Sequence, residues 1–177
     1  ISHEAASLAG TLGLGKLIAV YDQNGISIDG QVEGWFSEDV AARFEAYGWR
    51  VLREIDGHNA SSIEEALNES LQSDGRPTLL CFRTKIGFGS PNKEGTAGAH
   101  GAALGEDEIA LTREALGWEQ SAFDIAPEIY RAWDLSEKGV RVQEEWDKGF
   151  KDYQSKRPEK AREFLRRTAH QLPDQWE

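Results

Sequence analysis

The chain has 177 residues, enough to bury the core of one domain. Its composition, with 39% hydrophobic and 29% charged residues, is typical of globular proteins rather than disordered chains. Its 31 acidic and 20 basic side chains give a net charge of −11, which argues against nucleic acid and anionic membrane as partners because both bind to positive surfaces. No apolar segment approaches the roughly 20 residues that span a bilayer, and the single cysteine, Cys81, excludes an internal disulfide and favours the cytoplasm.

The first predicted element is a helix over residues 2–13, in which small and apolar residues recur at helical spacing after Ser2, its predicted N-cap. The chain starts within this pattern at Ile1 and contains no methionine. We therefore expect an internal piece of a longer protein; the alternative is a mature domain trimmed at a natural boundary.

Strand and helix patterns alternate over the following residues. Short links between parallel strands and intervening helices predict an α/β fold, with a parallel sheet flanked by helices. Ser37 is the predicted N-cap of the first helix in this region, and Ser61 with Glu64 forms a capping-box pattern in the second. The predicted strands are 16–22, 50–55 and 76–86, and the predicted helices are 37–49 and 61–73.

The remaining residues are of two kinds. Residues 87–105 form a loop with six glycines and no periodicity, and such long loops within a domain are usually functional or disordered. From residue 106 onward the pattern is mostly helical and charged, and residues 136–171 carry repeated lysine, arginine and glutamate. We place a boundary after residue 119, so that 1–119 carries the sheet and 120–177 is a helical extension.

Polar residues follow the first strand, in Asp22-Gln23-Asn24-Gly25. Ligands of parallel sheets bind beyond the carboxyl ends of the strands, where the glycine-rich loop also begins. The Asn24 amide oxygen and the Ile26 carbonyl are ligands suited to a hard cation such as Mg²⁺, although a carboxylate is missing. Ordinary turns use the same residues, and the spacing alone favours a turn.

Histidines and one glutamate are the other candidates. His100, in the glycine-rich loop, could donate to a phosphate oxygen or carry a proton, but a solvated loop histidine fits equally well. His58, after the second strand, is interpreted as a turn residue. Glu4 lies among alanine and serine on the first helix, which suggests a subunit interface; an exposed first-turn glutamate is the alternative.

Several segments resemble transketolase in order and spacing across essentially the whole chain. They are "ISHEAASLAGTLGLGKLIAVYDQNGISIDGQVEGWF", "RFEAYGW", "IGFGSPNKEGTAGAHGAALG" and "LTREALGW". The resemblance covers the later half of the family's diphosphate-binding domain (1–119, a partial thiamine-diphosphate-binding fold) and a helical extension (120–177) leading to the pyrimidine-binding domain.

The resemblance implies the roles of five residues. Asn24 and the carbonyl of Ile26 would bind Mg²⁺ or Ca²⁺, with the missing carboxylate supplied by a Gly-Asp-Gly segment upstream of Ile1. Ile86 would line the site of thiamine diphosphate, and His100, the implied catalytic residue, would lie near its diphosphate and the substrate. Glu4 matches an acidic cluster that joins the subunits of a homodimer.

Three residues depart from the family pattern. Gln23 stands where aspartate is usual, Ala97 where histidine is frequent, and Ala103 where proline is usual. The last two leave open the detailed geometry of the glycine-rich loop and its handling of substrate.

The resemblance implies a cytoplasmic transketolase of the pentose phosphate pathway, which transfers a two-carbon ketol unit between sugar phosphates and is incomplete as this chain alone. Its partners would be sugar-phosphate substrates, the rest of the enzyme and a second subunit, with no nucleic acid and no membrane. The alternatives are another thiamine-diphosphate enzyme, such as deoxyxylulose-phosphate synthase, and a non-catalytic assembly fragment.

Overall fold

The computed structural model describes residues 2–72 and 74–176. They form two compact units, 1–119 and 120–177. The first unit contains helices α1 (Ser2–Thr11), α2 (Val40–Ala46), α3 (Ala60–Ser70) and α4 (Glu106–Ala115), and strands β1 (Ile18–Gln23), β2 (Ile26–Ser27), β3 (Gly30–Gln31), β4 (Arg50–Asp56) and β5 (Thr78–Arg83).

A three-stranded parallel sheet in the order β1-β5-β4 organises the first unit. Strand β5 lies in the middle and buries five of its six residues, as expected of a strand covered on both faces. Gln23 of β1 and Asp56 of β4 both pair with Arg83, so the three strands end at the same edge. The predicted α/β fold with a parallel sheet flanked by helices is confirmed.

Trp49 anchors helix α1 to the sheet. Its indole is buried, and its Nε1 donates a hydrogen bond of 2.8 Å to the carbonyl of Ala6. Because tryptophan combines a large apolar surface with one donor, it suits a buried place beside an available carbonyl. A first core cluster contains Ala6, Ala9, Ala41, Trp49, Leu79 and Cys81, and a second contains Ile55, Ala66, Leu80 and Phe82.

The helix starts differ from the predicted caps. Asp39, not Ser37, caps α2, because its carboxylate accepts a hydrogen bond from the Ala42 N–H at 2.9 Å. Asn59, not Ser61, caps α3 in the same way through the Ser62 N–H. Serine, aspartate and asparagine cap helices about equally well, so residue type alone did not identify which residue caps each helix. Ser2 is the first helical residue of α1 rather than its cap, and residue 73, the predicted end of the second of these helices, lies outside the described residues.

The second unit contains three helices within its described residues, α5 (Pro127–Trp133), α6 (Ser136–Lys156) and α7 (Pro158–Thr168). Residues 136–171, expected to be mostly helical, contain two helices rather than one. Pro158 starts a new helix since it lacks an N–H to continue the old one. Phe150 stacks on Trp146 and contacts Phe164 of α7. No helix in the described part of the chain has the length and apolarity to cross a bilayer.

Candidate functional site

The polar residues after β1 form a turn stabilised by Asn24. Its Oδ1 accepts a hydrogen bond of 2.9 Å from the N–H of Ile26. Gly25 between them has a φ of 72°, a conformation that glycine adopts without steric cost. The Gly25 carbonyl accepts from Val32 N–H at 3.0 Å, which closes the small β2–β3 hairpin beneath the turn. The turn therefore fixes the amide oxygen of Asn24 beside the peptide of Ile26.

A cavity of about 270 Å³ opens at this turn. Asn24 and Ile26 line it and are both half-buried. Trp35 and Phe36 supply apolar wall, while Glu38 supplies a carboxylate. The cavity thus combines polar and apolar residues, as small-ligand sites do.

A hydrogen bond joins the carboxyl end of β1 to that of β5. The Oγ1 of Thr84, one residue past β5, donates to Oδ1 of Asp22. Asn24 lies one residue beyond the paired part of β1, and Ile86 lies three beyond that of β5. The turn that carries Asn24 and Ile26 therefore lies next to the start of the glycine-rich loop.

The middle of the glycine-rich loop turns back toward its start. The Gly95 N–H donates to the Ile86 carbonyl at 2.8 Å. Gly87 and Ala99 approach so closely that a Cβ at Gly87 would lie 2.9 Å from the Cβ of Ala99. Since Ile86 precedes Gly87 and His100 follows Ala99, this contact brings the two predicted site residues to the same part of the loop.

His100 ends a short 3₁₀ turn over Ala97–Ala99. Its side chain is exposed, whereas Ile86 is half-buried. The imidazole is thus available to a ligand, and the isoleucine offers an apolar wall. Glu4 is distant in sequence from these site residues. It lies in the first turn of α1 and is exposed.

Two carboxylates that sequence reasoning missed hold the loop. Glu94 accepts from the Gly89 N–H at 2.9 Å and from Lys85 Nζ at 3.0 Å, and these contacts lower its pKa. Glu108 of α4 is buried and accepts hydrogen bonds from Ser90 and Asn92. Neither glutamate stood out in the sequence, because Glu94 is a single charge within the loop and Glu108 is one of three acidic residues in the first turn of α4.

His58 reaches the same loop from the turn after β4. Its Nε2 accepts a hydrogen bond of 2.8 Å from the Lys85 N–H. Its ring stacks on Phe88 at a centroid distance of 3.9 Å and an interplanar angle of 13°. His58 is a turn residue, as interpreted from the sequence, but it also contacts the start of the loop.

The oxygen atoms in the turn after β1 supply some of the ligands that a hard cation needs. An amide oxygen has two lone pairs, so Asn24 can accept from Ile26 N–H and still bind a metal ion. Within residues 2–72 and 74–176, no three His, Cys, Asp or Glu side chains are grouped so that they could hold a metal. The described residues alone therefore offer part of a coordination sphere.

Comparison with known proteins gives a consistent result. The family described as "Transketolase, thiamine diphosphate binding domain" matches residues 1–173. The chain is 55% identical over 177 residues to transketolase 2 of Escherichia coli and 57% identical to that of Vibrio vulnificus, and it spans 26% of each.

Solved structures agree with this result. Transketolase from Pichia stipitis, in complex with sedoheptulose 7-phosphate, matches 99% of the chain with 26% of its own, at a TM-score of 0.87 and 39% identity. Transketolase from Leishmania mexicana matches 98% of the chain with 26% of its own, at a TM-score of 0.88 and 33% identity. The chain thus spans about a quarter of the relatives it matches. It belongs to the transketolase family, as part of the thiamine diphosphate binding domain.

Proposed function

We propose that this chain supplies the diphosphate-binding part of a transketolase, which transfers a two-carbon ketol unit from a ketose phosphate to an aldose phosphate. The observation that carries the proposal is the Asp22–Thr84 hydrogen bond, which joins the ends of adjacent parallel strands. A turn with metal-type oxygen ligands follows one strand, and a loop rich in backbone N–H donors follows the other. This is the usual position of a ligand site in a parallel sheet.

Asn24 Oδ1 and the carbonyl of Ile26 would hold a Mg²⁺ or Ca²⁺ ion bound to the cofactor's diphosphate. The Asn24 turn preorganises the amide oxygen, because its hydrogen bond to Ile26 N–H limits the rotation of the side chain. A cation is needed since a chain of net charge −11 repels a diphosphate. The remaining carboxylate would come from a Gly-Asp-Gly segment outside this chain.

Thiamine diphosphate, when bound, supplies the nucleophilic carbon and electron sink of ketol transfer. Ile86 would exclude water beside it, since its half-buried side chain is apolar. The exposed imidazole of His100 would donate a hydrogen bond to diphosphate or substrate oxygens and move a proton near neutral pH. Backbone N–H groups of the glycine-rich loop would add donors for anionic oxygens.

The complete protein would be a cytoplasmic homodimer of the pentose phosphate pathway. Glu4 and Leu8 lie four residues apart on α1 and are both exposed, so they share one face of the helix. This face, which carries Glu4, is the proposed subunit contact. The single cysteine supports the cytoplasm.

A chimera tests the proposal. This chain replaces the matching 177 residues of Escherichia coli transketolase 2, to which it is 55% identical. We expect the folded chimera to bind thiamine diphosphate with Mg²⁺ and to transfer a ketol unit between sugar phosphates. Pyruvate is assayed in parallel, because its decarboxylation would indicate a deoxyxylulose-phosphate synthase type of reaction. A folded chimera that binds the cofactor but transfers no ketol unit would overturn the proposal and favour a non-catalytic assembly role.

A further inference from the structure

Glu108 carries a charge in an unusual place. It lies in the first turn of α4, and only 7% of its surface is exposed. Buried carboxylates are rare unless their oxygens are paired. Glu106 and Asp107 lie in the same turn and are exposed, so they already provide negative charge at the positive end of the helix. Helix capping therefore does not explain why Glu108 points inward.

The glycine-rich loop satisfies both oxygens of Glu108. Its Oε1 accepts from Ser90 Oγ and from the Asn92 N–H at 2.8 Å, and its Oε2 accepts from Asn92 Nδ2 at 2.9 Å. These contacts, led by Ser90, hold the pKa of Glu108 below its ordinary value, so the group is ionised near neutral pH. Hydrogen bonds to an ionised, buried group are about twice as strong as neutral ones.

The bound segment lies between the two predicted site residues. Ser90 and Asn92 follow Ile86 and precede the Gly95 N–H that binds the Ile86 carbonyl. A second contact between the loop and α4 lies at Gly89, where an added Cβ would lie 2.5 Å from Leu116 Cδ2. Glu108 thus binds the part of the loop that turns back toward Ile86, and this turn brings Ile86 and His100 together.

We propose that Glu108 is a positioning residue, whose buried carboxylate fixes the Ser90–Asn92 segment and thereby the placement of Ile86 and His100. The expected effect of Glu108 on turnover rests on the proposed function, whereas its expected effect on the structure of the loop does not. Glu108 contacts no reacting atom in this scheme. It acts through the hydrogen-bonded loop alone.

Exchange of the two partners tests the proposal. Glu108→Gln removes the negative charge, and the Asn92 amide has to turn over to accept from the new NH2 group, so the contacts become neutral hydrogen bonds of about half the strength. In Asn92→Asp two carboxylates face each other. The double variant Glu108→Gln/Asn92→Asp restores one donor and one acceptor with reversed polarity and leaves the net charge unchanged. Glu106→Gln is the matched control, since it removes the same charge from an exposed site on the same helix turn.

Two readouts are taken on the chimera. Hydrogen exchange followed by mass spectrometry reports the protection of residues 86–95, and steady-state kinetics report kcat and the KM for thiamine diphosphate. We expect each single variant to lose loop protection and to lower kcat by about ten- to a hundredfold, since a displacement of roughly 1 Å can cost on the order of a hundredfold. The double variant should recover most of both losses, and Glu106→Gln should change neither.

Each outcome decides the matter. The proposal is wrong if residues 86–95 exchange as fast in the double variant as in the single variants. It is also wrong if Glu108→Gln has the same loop protection and kcat as Glu106→Gln. If the unsubstituted chimera has no ketol transfer, the proposed function fails, but hydrogen exchange still tests the hold of Glu108 on the loop. Loss of protection without a change in kcat or KM would overturn the positioning role.

Discussion

His58 Nε2 lies 2.8 Å from the backbone nitrogen of Lys85 and accepts its hydrogen bond. An unprotonated Nε2 is required for this contact, so the proton of the neutral ring lies on Nδ1. The same ring stacks on Phe88. A turn after β4 thus contacts the glycine-rich loop where it leaves β5.

We expect His58→Phe to separate these two contacts. Phenylalanine can keep the stacking on Phe88 but cannot accept from Lys85 N–H, which costs about 0.5–1.5 kcal/mol for a typical hydrogen bond. His58→Ala loses both contacts and should be the less stable variant, while Phe88→Ala keeps the acceptor. Urea unfolding together with exchange of the Lys85 amide measures the effects. Wild-type protection of that amide in His58→Phe would show that the acceptor is dispensable.

Asn24→Ala should weaken metal-dependent binding of thiamine diphosphate to the chimera. Loss of a residue that only supports a metal ligand costs on the order of 10–100-fold in affinity, and a direct ligand should cost at least as much. Calorimetry with Mg²⁺ and the cofactor measures the change. Asn68→Ala, an exposed asparagine on α3, is the matched control. Equal affinities of the two variants would remove Asn24 from the site.

His100→Ala should reduce turnover and leave the fold intact. The side chain is exposed, and surface substitutions usually change stability by less than about 0.5 kcal/mol. Loss of a group that moves a proton lowers rate by about 10²–10⁴-fold. His100→Gln keeps an N–H donor without an ionisable proton, so partial recovery of kcat would identify hydrogen bonding as the main role. A melting temperature that falls with the rate would point to a structural role.

The carboxylates of the loop predict how acid affects it. The Gly89 N–H and Lys85 lower the pKa of Glu94, and Ser90 and Asn92 lower that of Glu108, in both cases from an ordinary 4.5. A lowered pKa means that the carboxylate stabilises the fold fully above pH 4.5 and that this contribution is lost as pH falls through the lower, folded value.

Amide chemical shifts of Gly89 and Asn92 in the ¹⁵N-labelled chain follow this titration. Both should change with midpoints below 4.5. Glu94→Gln should abolish the change at Gly89 and preserve the one at Asn92. Midpoints at or above the ordinary value would contradict the hydrogen bonds.

Two helical glycines should respond to alanine with opposite signs. A Cβ at Gly10 of α1 would lie 1.8 Å from the Tyr47 carbonyl oxygen, so Gly10→Ala must displace α1. Such overpacking costs about 1–3 kcal/mol. Gly139 of α6 has open space at its Cβ, and alanine there should stabilise the helix by about 0.8–1 kcal/mol. Chemical denaturation measures both, and a neutral Gly10→Ala would contradict the close approach of α1 to Tyr47.

Local patterns in the sequence determined the type and order of the elements. Apolar spacing distinguishes strands from helices because it reflects which side of each element is buried. The glycine-rich loop was visible for the same reason, as a region without such spacing. Asn24, Ile26, Ile86 and His100 were singled out as site residues from their motifs, and their roles remain predictions.

Only the tertiary structure decided which distant residues meet. Strand β5 lies between β1 and β4, so Asp22 reaches Thr84 across 62 residues of sequence. The contact of His58 with Lys85 and the burial of Glu108 depend on where neighbouring elements pack. Hydrogen bonds of this kind are set by three-dimensional proximity, which the spacing of residues along one chain does not encode.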